Sequence, residues 1–317
     1  MYLNKLGRVI VFGGSGLMGT ALVERLLNDG VKGVTIVDVA APDTYIARDS
    51  RLNFVEADIL HLDDIDLLEV MSKSDTIFFK VGKLGNPAHS AELSQALEYT
   101  EVNAVSFWRI ILAANRCKNI KMIVDSSYTA VCDFSRSTPF SESDLPGITT
   151  NFYGLSKAIL EDICLFANRV FDSLDVRFIR YPRVYSPKRQ NFLNNFAANI
   201  ANNEPIQLIG DPNKVVDLIH IDDAVEVAIR AAIYEGEKKI FHATYSDSHT
   251  LNQIVKLLCS EIGRSDHPVK FSPSGLTPRE PCMACLADEY STRELCCHFS
   301  FSLKKIIQQV LNSAKAC

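Results

Sequence analysis

Short apolar runs alternate with amphipathic stretches through the first two thirds of the chain. The run RVIVF at 8–12 has the length and the β-branched residues of a buried strand. The stretch LMGTALVERLLND at 17–29 places apolar residues at helical spacing and ends at Gly30, which suits a helix C-cap. The same patterns predict further strands at 33–39, 52–55, 75–81, 119–126, 175–181 and 239–243, and further helices at 63–71, 92–116, 152–171, 192–203 and 222–234.

Alternating strands and helices, with strands that are apolar almost throughout, predict an α/β fold with a parallel sheet covered on both faces. Right-handed crossovers then make the sheet doubly wound. After Pro182 the pattern becomes less regular. We therefore expect a sheet domain in residues 1–181, to which segments near 216–245 return, and a smaller C-terminal lobe formed by 182–215 and 246–317.

Composition narrows the possible partners. The 317 residues are 47% apolar and carry a formal net charge of -5, so the chain can bury a large core and gives no support for nucleic-acid binding. No apolar run approaches the about 20 residues that span a bilayer, and the run ending at Phe12 is too short for a signal-peptide core. With nine cysteines and no such signal, a reducing cytoplasmic location is expected, without a membrane partner.

One cluster of cysteines is a candidate metal site. It comprises Cys282, Cys285, Cys296, Cys297 and the adjacent His298. The first two have zinc-like spacing, but the second pair is adjacent, whereas tetrahedral sites usually need the chain to loop back between ligands. We expect ordinary reduced thiols and no metal.

A glycine-rich loop follows the first strand and opens the first helix. The segment Gly13-Gly14-Ser15-Gly16-Leu17-Met18-Gly19 lets the backbone approach a pyrophosphate, and the helix N-terminus offers free N–H groups to it. Asp38 ends the next strand, 19 positions beyond Gly19. Its carboxylate can accept hydrogen bonds from an adenosine ribose and would repel a 2′-phosphate, which favours NAD over NADP.

Candidate acid–base chemistry lies further along. Tyr153 and Lys157 are four apart and so share a helix face, where an ammonium group favours the phenolate that could take a proton from a hydroxyl. The fifth strand ends in Ser126-Ser127, at the sheet edge where ligands bind. Because side chains alternate along a strand, only one serine can face the site, and we choose Ser127.

These motifs together resemble the extended short-chain dehydrogenase/reductases, in the NAD-dependent epimerase/dehydratase group that acts on nucleotide sugars. The likeness covers about residues 7–260. Besides the glycine loop and Tyr153-Gly154-x-Ser156-Lys157, it rests on Asp58-Ile59, Asn103, Ser126-Ser127, Arg180-x-Pro182-x-Val184-Tyr185 and Asp217-x-x-His220-x-Asp222-Asp223.

The resemblance implies a Rossmann-type fold, a smaller substrate-binding lobe and a homodimer formed through the helices near 92–116 and 152–171. It implies catalytic roles for Ser127, Tyr153 and Lys157. The implied NAD contacts are Gly13, Gly16, Leu17, Met18, Gly19, Asp38, Asp58, Ile59, Val81, Gly82, Tyr153, Lys157 and Tyr181. The substrate contacts that we expect are Lys83, Ser127, Tyr128, Arg183 and Arg189. For Asn103, Arg180, His220 and Asp222 we expect structural hydrogen bonds rather than catalysis.

Departures from the family pattern bear on the reaction. Arg183 stands where many relatives have an asparagine, and Lys80-Val81-Gly82-Lys83 stands where they commonly have His-x-Ala-Ala. Dehydratases place Asp-Glu directly after the catalytic hydroxyl residue, whereas this chain has Tyr128 and Thr129. We therefore predict a nucleotide-sugar epimerase, or a closely related reductase, that works by transient hydride transfer. A dehydrogenase of the hydroxysteroid type and a non-catalytic NAD-binding regulator remain as alternatives.

Overall fold

The computed structural model describes residues 5–84, 93–117, 119–131, 138–147, 149, 151–209, 211–245, 247–272 and 283–315. Seven strands form its central sheet, and every pairing between them is parallel. They are β1 (Val9–Phe12), β2 (Val34–Asp38), β3 (Leu52–Glu56), β4 (Thr76–Phe79), β5 (Ile120–Ser127), β6 (Leu174–Tyr181) and β11 (Ile240–His242). Their order, β11-β6-β5-β4-β1-β2-β3, confirms the predicted doubly wound sheet.

Helices cover both faces of this sheet. They are α1 (Leu17–Asn28), α2 (Asp64–Met71), α3 (Leu93–Thr100), α4 (Ser106–Ala114), α5 (Phe152–Val170) and α7 (Ile221–Ile233). One apolar core unites α1 and α7 with side chains such as Val11 and Ile123, and the other unites α2, α4 and α5 with side chains such as Phe12 and Val124. Successive strand residues therefore enter different cores, which explains why these strands are apolar throughout.

The helix predicted at 92–116 is not a uniform α-helix. A π-helical turn at Glu101–Val105 separates α3 from α4. The turn carries Asn103, which is fully buried and hydrogen-bonds to the main chain of Lys83 and to the hydroxyl of Ser156. Apolar periodicity could not show the turn, because these bonds join residues distant in sequence.

The C-terminal part of the chain has an apolar core of its own, which includes Tyr185, Leu193, Leu258 and Ile306. Its elements are β7 (Arg183–Tyr185), α6 (Phe192–Ala201), β8 (Ile206–Ile209), β9 (Val215–Val216), β10 (Leu218–His220), β12 (His249–Thr250), α8 (Leu251–Ile262), β13 (Val269–Ser272), β14 (Met283–Ala284), α9 (Ser291–Leu295) and α10 (Leu303–Lys315). None of the helices in the described part of the chain is long and apolar enough to cross a lipid bilayer.

The cysteine cluster is only partly described. Cys285 and Cys297 are buried and Cys296 is exposed, none of the three is in a disulfide bond, and Cys282 lies outside the described residues. Among the residues that the structure describes, no group of three or more His, Cys, Asp or Glu side chains could hold a metal ion.

Candidate active site

The glycine loop is packed so closely at Gly13 and Gly19 that neither position has room for a side chain. A Cβ atom on Gly19 would lie 2.1 Å from the Gly13 carbonyl oxygen, and one on Gly13, whose φ is +77°, would lie 2.7 Å from the Lys80 carbonyl carbon. Gly16 is the N-cap of α1 and offers no side chain to its first N–H groups. The Ser15 hydroxyl is buried and has no hydrogen-bond partner among the described residues. Free donors in a glycine cradle fit the pyrophosphate of a dinucleotide.

A cavity of about 620 Å³, which we name the glycine-loop cavity, opens beside this loop. Asp38 lies at its edge, where its carboxylate accepts hydrogen bonds from the main-chain N–H groups of Ser15 (3.0 Å) and Ala40 (3.1 Å). The carboxylate is thus held in place beside the cavity, and its remaining lone pairs could accept hydrogen bonds from a ribose. The lining also includes the predicted cofactor residues Gly13, Gly16, Asp58, Ile59, Val81 and Gly82.

A second cavity of about 710 Å³, the tyrosine cavity, adjoins the first and shares Gly16 and the Lys80–Lys83 segment with it. It brings together the three predicted catalytic residues with most of the remaining predicted contacts. Its lining includes Leu17, Met18, Lys83, Ser127, Tyr153, Lys157, Tyr181, Arg183 and Arg189. Gly19 and Tyr128 line neither cavity; Gly19 lies beneath the loop, and the Tyr128 ring lies 5.7 Å from the Arg183 guanidinium carbon.

Close packing at the start of α5 brings Tyr153 to Ser127. The Asn151 side chain caps the helix by accepting a hydrogen bond from the Gly154 N–H at 2.7 Å. A Cβ atom on Gly154 would lie 2.8 Å from the Thr129 carbonyl oxygen, so the helix touches the turn that follows Ser127. The Ser127 hydroxyl lies close enough to the Tyr153 phenol to lower its pKa through hydrogen bonding. Tyr99 of α3 packs edge-on against the Tyr153 ring, with 6.0 Å between ring centroids, and was not predicted from the sequence.

The protein groups around the phenol keep it protonated at neutral pH. Removal from water raises the pKa of Tyr153 to about 12, and the hydrogen bond with Ser127 opposes this shift. Burial also lowers the pKa of Lys157 to about 8, while the negative charge of Asp125 favours its ammonium form. The sequence predicted that Lys157 would lower the phenol's pKa. Among the largest influences on the Tyr153 phenol, only the hydrogen bonding of Ser127 lowers its pKa.

The two serines at the end of β5 both line the tyrosine cavity but have different partners. Ser126 donates to Glu161 at 2.5 Å. Glu161 also pairs with Arg180 at 2.8 Å, and neither of these two side chains is exposed to solvent. Arg180 donates further hydrogen bonds to two main-chain carbonyl oxygens, and His220 hydrogen-bonds to Gln309. These contacts are structural, and they leave Ser127 as the serine beside the phenol.

Sequence reasoning missed a buried ion pair beneath the site. The Lys80 ammonium group lies 2.5 Å from Oδ1 of Asp125, and the Lys80 side chain is 0% exposed. The available signal was the presence of two charged residues at the carboxyl ends of neighbouring strands, where polar side chains converge in parallel sheets.

The cations near the tyrosine cavity differ in their partners. Lys188 points to the surface, where its ammonium binds Glu24 at 2.9 Å and Tyr45 at 3.1 Å, and Lys83 forms an ion pair with Glu98. Nη1 of Arg183, in contrast, is buried without a hydrogen-bond partner among the described residues. Arg183 therefore has donor capacity left for a ligand.

Comparison with known proteins places this geometry in context. The model of the NAD dependent epimerase/dehydratase family matches residues 9–242. A UDP-glucose 4-epimerase of Mycolicibacterium smegmatis is 25% identical over 278 residues, 85% of this chain and 87% of that protein. A dTDP-4-dehydro-6-deoxyglucose reductase of Escherichia coli is 26% identical over 262 residues, 79% of this chain and 80% of that protein. Among solved structures, a UDP-glucuronic acid 4-epimerase of Bacillus cereus, in complex with UDP-glucuronic acid and NAD, superposes with a TM-score of 0.82 at 21% identity, covering 98% of this chain and 99% of that one.

Proposed function

Because the chain belongs to the NAD dependent epimerase/dehydratase family, we propose that it is a nucleotide-sugar epimerase, or a closely related reductase, working through Ser127, Tyr153 and Lys157. Family membership confirms the resemblance drawn from the motifs, and NAD as the family's cofactor. The observation that carries the proposal is that Ser127, Tyr153 and Lys157 line one cavity, which adjoins the glycine loop.

Tyr153, Ser127 and Lys157 have different roles in the proposed reaction. When bound, NAD supplies the acceptor for a hydride from a sugar carbon. Tyr153, in the phenolate form that the positive charges of Lys157 and the oxidised cofactor would favour, takes the proton of the hydroxyl on that carbon, so that a ketone forms, while Ser127 donates a hydrogen bond to the same oxygen. Lys157 would also hold the cofactor ribose. In an epimerase the hydride would return from the bound cofactor to the opposite face of the ketone, and Tyr153 would return the proton.

Two features favour epimerisation of a nucleotide sugar over the alternatives. The positions after Ser127 hold no carboxylate, and the Thr129 hydroxyl donates to Ser127 at 2.9 Å, so the acid–base pair that dehydration needs is missing there. The lining of the tyrosine cavity includes the polar and basic side chains of Arg183, Arg189, Gln190 and Asn191, next to apolar ones such as Phe192 and Leu218. The two arginines suit a diphosphate better than the apolar body of a steroid.

The experiment is incubation with UDP-, GDP- and dTDP-sugars, with NMR detection of epimeric products. We expect Tyr153→Phe to lower turnover by about 10²–10⁴-fold while NAD stays bound. Tyr45→Phe, a change at an exposed tyrosine, is the matched control and should be neutral. Wild-type turnover by Tyr153→Phe would reject the assignment. An inactive wild type that binds NAD would favour the regulator.

We also propose a homodimer through α5 and the α3–α4 segment. Both helical segments expose large apolar side chains, among them Leu97, Leu112, Phe166 and Val170. Water contact with these side chains is unfavourable, and pairing them in a four-helix bundle would remove it. Sedimentation velocity should then give twice the chain mass.

The two-lobe division and the cytoplasmic location stay proposals. The separate core that includes Leu193 and Leu258 supports a substrate lobe formed by 182–215 and 246–317. The nine cysteines support a reducing location.

A further inference from the structure

The Lys80–Asp125 ion pair joins neighbouring strands on one face of the sheet. Phe79 and Val124 are register partners, so Lys80 and Asp125 follow them side by side. Phe78 and Ile123, two residues earlier on each strand, belong to the core beneath α1 and α7. Because side chains alternate, Lys80 and Asp125 lie on that same face, whereas Lys157 comes from α5 on the opposite face.

The two faces meet at the main chain of Asp125. Its carbonyl oxygen accepts a hydrogen bond from the Lys157 ammonium group at 2.9 Å, while its side chain holds Lys80. Asp125 thus contacts two lysines, Lys157 through its main chain and Lys80 through its side chain. The carboxylate is only 14% exposed and the Lys80 side chain not at all, so solvent screens this charge pair weakly.

We propose that Lys80 and Asp125 are a positioning pair, which fixes the carbonyl oxygen that holds Lys157 and sets how firmly Lys157 keeps its proton. The inference rests on the proposed function for the role of Lys157 beside NAD. Both residues line the tyrosine cavity, but their charged groups are paired with each other, and the role proposed for them is exerted through Lys157.

The charges around Lys157 support opposite contributions from the two partners. Asp125 from β5 and Glu161 from α5 favour the ammonium form, as would a thiolate at Cys164, whereas Lys80 after β4 disfavours it. Burial is the largest influence and lowers the pKa of Lys157. Removing Asp125's charge and removing Lys80's charge should therefore move the protonation of Lys157 in opposite directions, a pattern that loss of packing alone would not produce.

The test measures the affinity for NADH by fluorescence across pH 6 to about 10. Loss of the Lys157 proton should weaken binding with a midpoint near pH 8, and Lys157→Met should remove this step. We expect Asp125→Asn to lower the midpoint by about one pH unit, and Lys80→Met to raise it by a similar amount. The double variant should stay near the wild-type midpoint, and Lys5→Met, at an exposed ion pair, should not move it.

Several outcomes would overturn the proposal. They are a wild-type profile without the step, unchanged midpoints in the folded single variants, and shifts of both single variants in the same direction. If one single variant leaves a buried charge and does not fold, the other single variant compared with the neutral double variant decides, because the proposal requires a shift in the single variant that the double variant reverses. NADH binding needs no sugar substrate, so opposite shifts in a protein without turnover would reject the epimerase assignment and keep the positioning pair.

Discussion

The two cavities that form the cleft are built in different ways. The glycine-loop cavity is lined by residues 13–106, and its shape depends on the backbone of one loop and on the ends of adjacent strands. The tyrosine cavity gathers residues from Gly16 to Leu218, and its chemistry depends on side chains. The first depends on a loop with no room for a side chain at Gly13 and Gly19, whereas the second is held together by contacts between distant residues.

Buried polar networks supply those distant contacts. Arg180 joins β6 to α5 through Glu161 and to the segment at 141–144 through carbonyl oxygens. His242 of β11 extends this network, with Nδ1 2.7 Å from the Ala287 carbonyl oxygen and Nε2 3.4 Å from Arg180. The tyrosine cavity should therefore be sensitive to pH and to substitutions that change a charge. The glycine-loop cavity should be sensitive to substitutions that add side-chain volume.

The largest effect is expected at Gly19. A methyl group there would lie 2.1 Å from the Gly13 carbonyl oxygen and 2.7 Å from the Gly14 Cα, so Gly19→Ala must reshape the loop. Because pyrophosphate binding needs the present loop, we expect NADH affinity to fall by about 100-fold or more, close to 3 kcal/mol, in a fluorescence titration.

Gly33→Ala is the matched control. The nearest atom to its new methyl group is the Arg51 carbonyl oxygen at 3.7 Å, an ordinary contact, and Gly33 lines neither cavity. NADH affinity should not change in this variant. Equal losses in both glycine variants would mean that general destabilisation, rather than loop shape, controls cofactor binding.

The second prediction concerns pH and the network beneath the tyrosine cavity. Burial, with the nearby Arg180 charge, lowers the pKa of His242 to about 3. The unfolded chain takes up a proton below about pH 6.5 and the folded chain does not, so stability is lost as pH falls through this range. The contribution at pH 5 is about 2 kcal/mol of unfolding free energy.

His242→Gln isolates this contribution, because glutamine does not titrate and can still donate to Ala287. In urea denaturation, the loss of stability between pH 7 and pH 5 should be smaller in this variant by that amount. His298→Gln, at an exposed histidine, should behave like wild type. An identical pH dependence in wild type and His242→Gln would show that His242 accepts a proton within the fold.

The difference between the cavities also explains what the sequence could predict. The glycine loop, Asp38 and the Tyr153–Lys157 spacing are contiguous or near-contiguous patterns, and each lies in or beside the cleft as expected. The Lys80–Asp125 pair, the contact of Tyr99 with Tyr153 and the π-helical turn at Asn103 join residues 20 to 54 positions apart. Periodicity carries no signal for such pairs, because it reports which face of an element is buried and not which partner lies opposite.

The smallest predicted effect distinguishes the roles of the two cavities, because it should weaken substrate binding and leave cofactor binding unchanged. Arg183→Met removes the cation whose buried Nη1 lacks a hydrogen-bond partner among the described residues. Loss of a charge-assisted bond to the substrate should raise KM for the nucleotide sugar by about 10-fold and leave NADH affinity unchanged. Lys188→Met is the control, because that ammonium is engaged by Glu24 and Tyr45.

The free energy of unfolding of Arg183→Met provides a second measurement that tests this prediction. A buried donor without a partner costs about 1–3 kcal/mol, so Arg183→Met should be at least as stable as wild type in urea. A gain or no change in stability together with a weaker substrate interaction is what a residue kept for binding should show. A marked loss of stability with an unchanged KM would instead assign Arg183 to the framework through its contact with Tyr128.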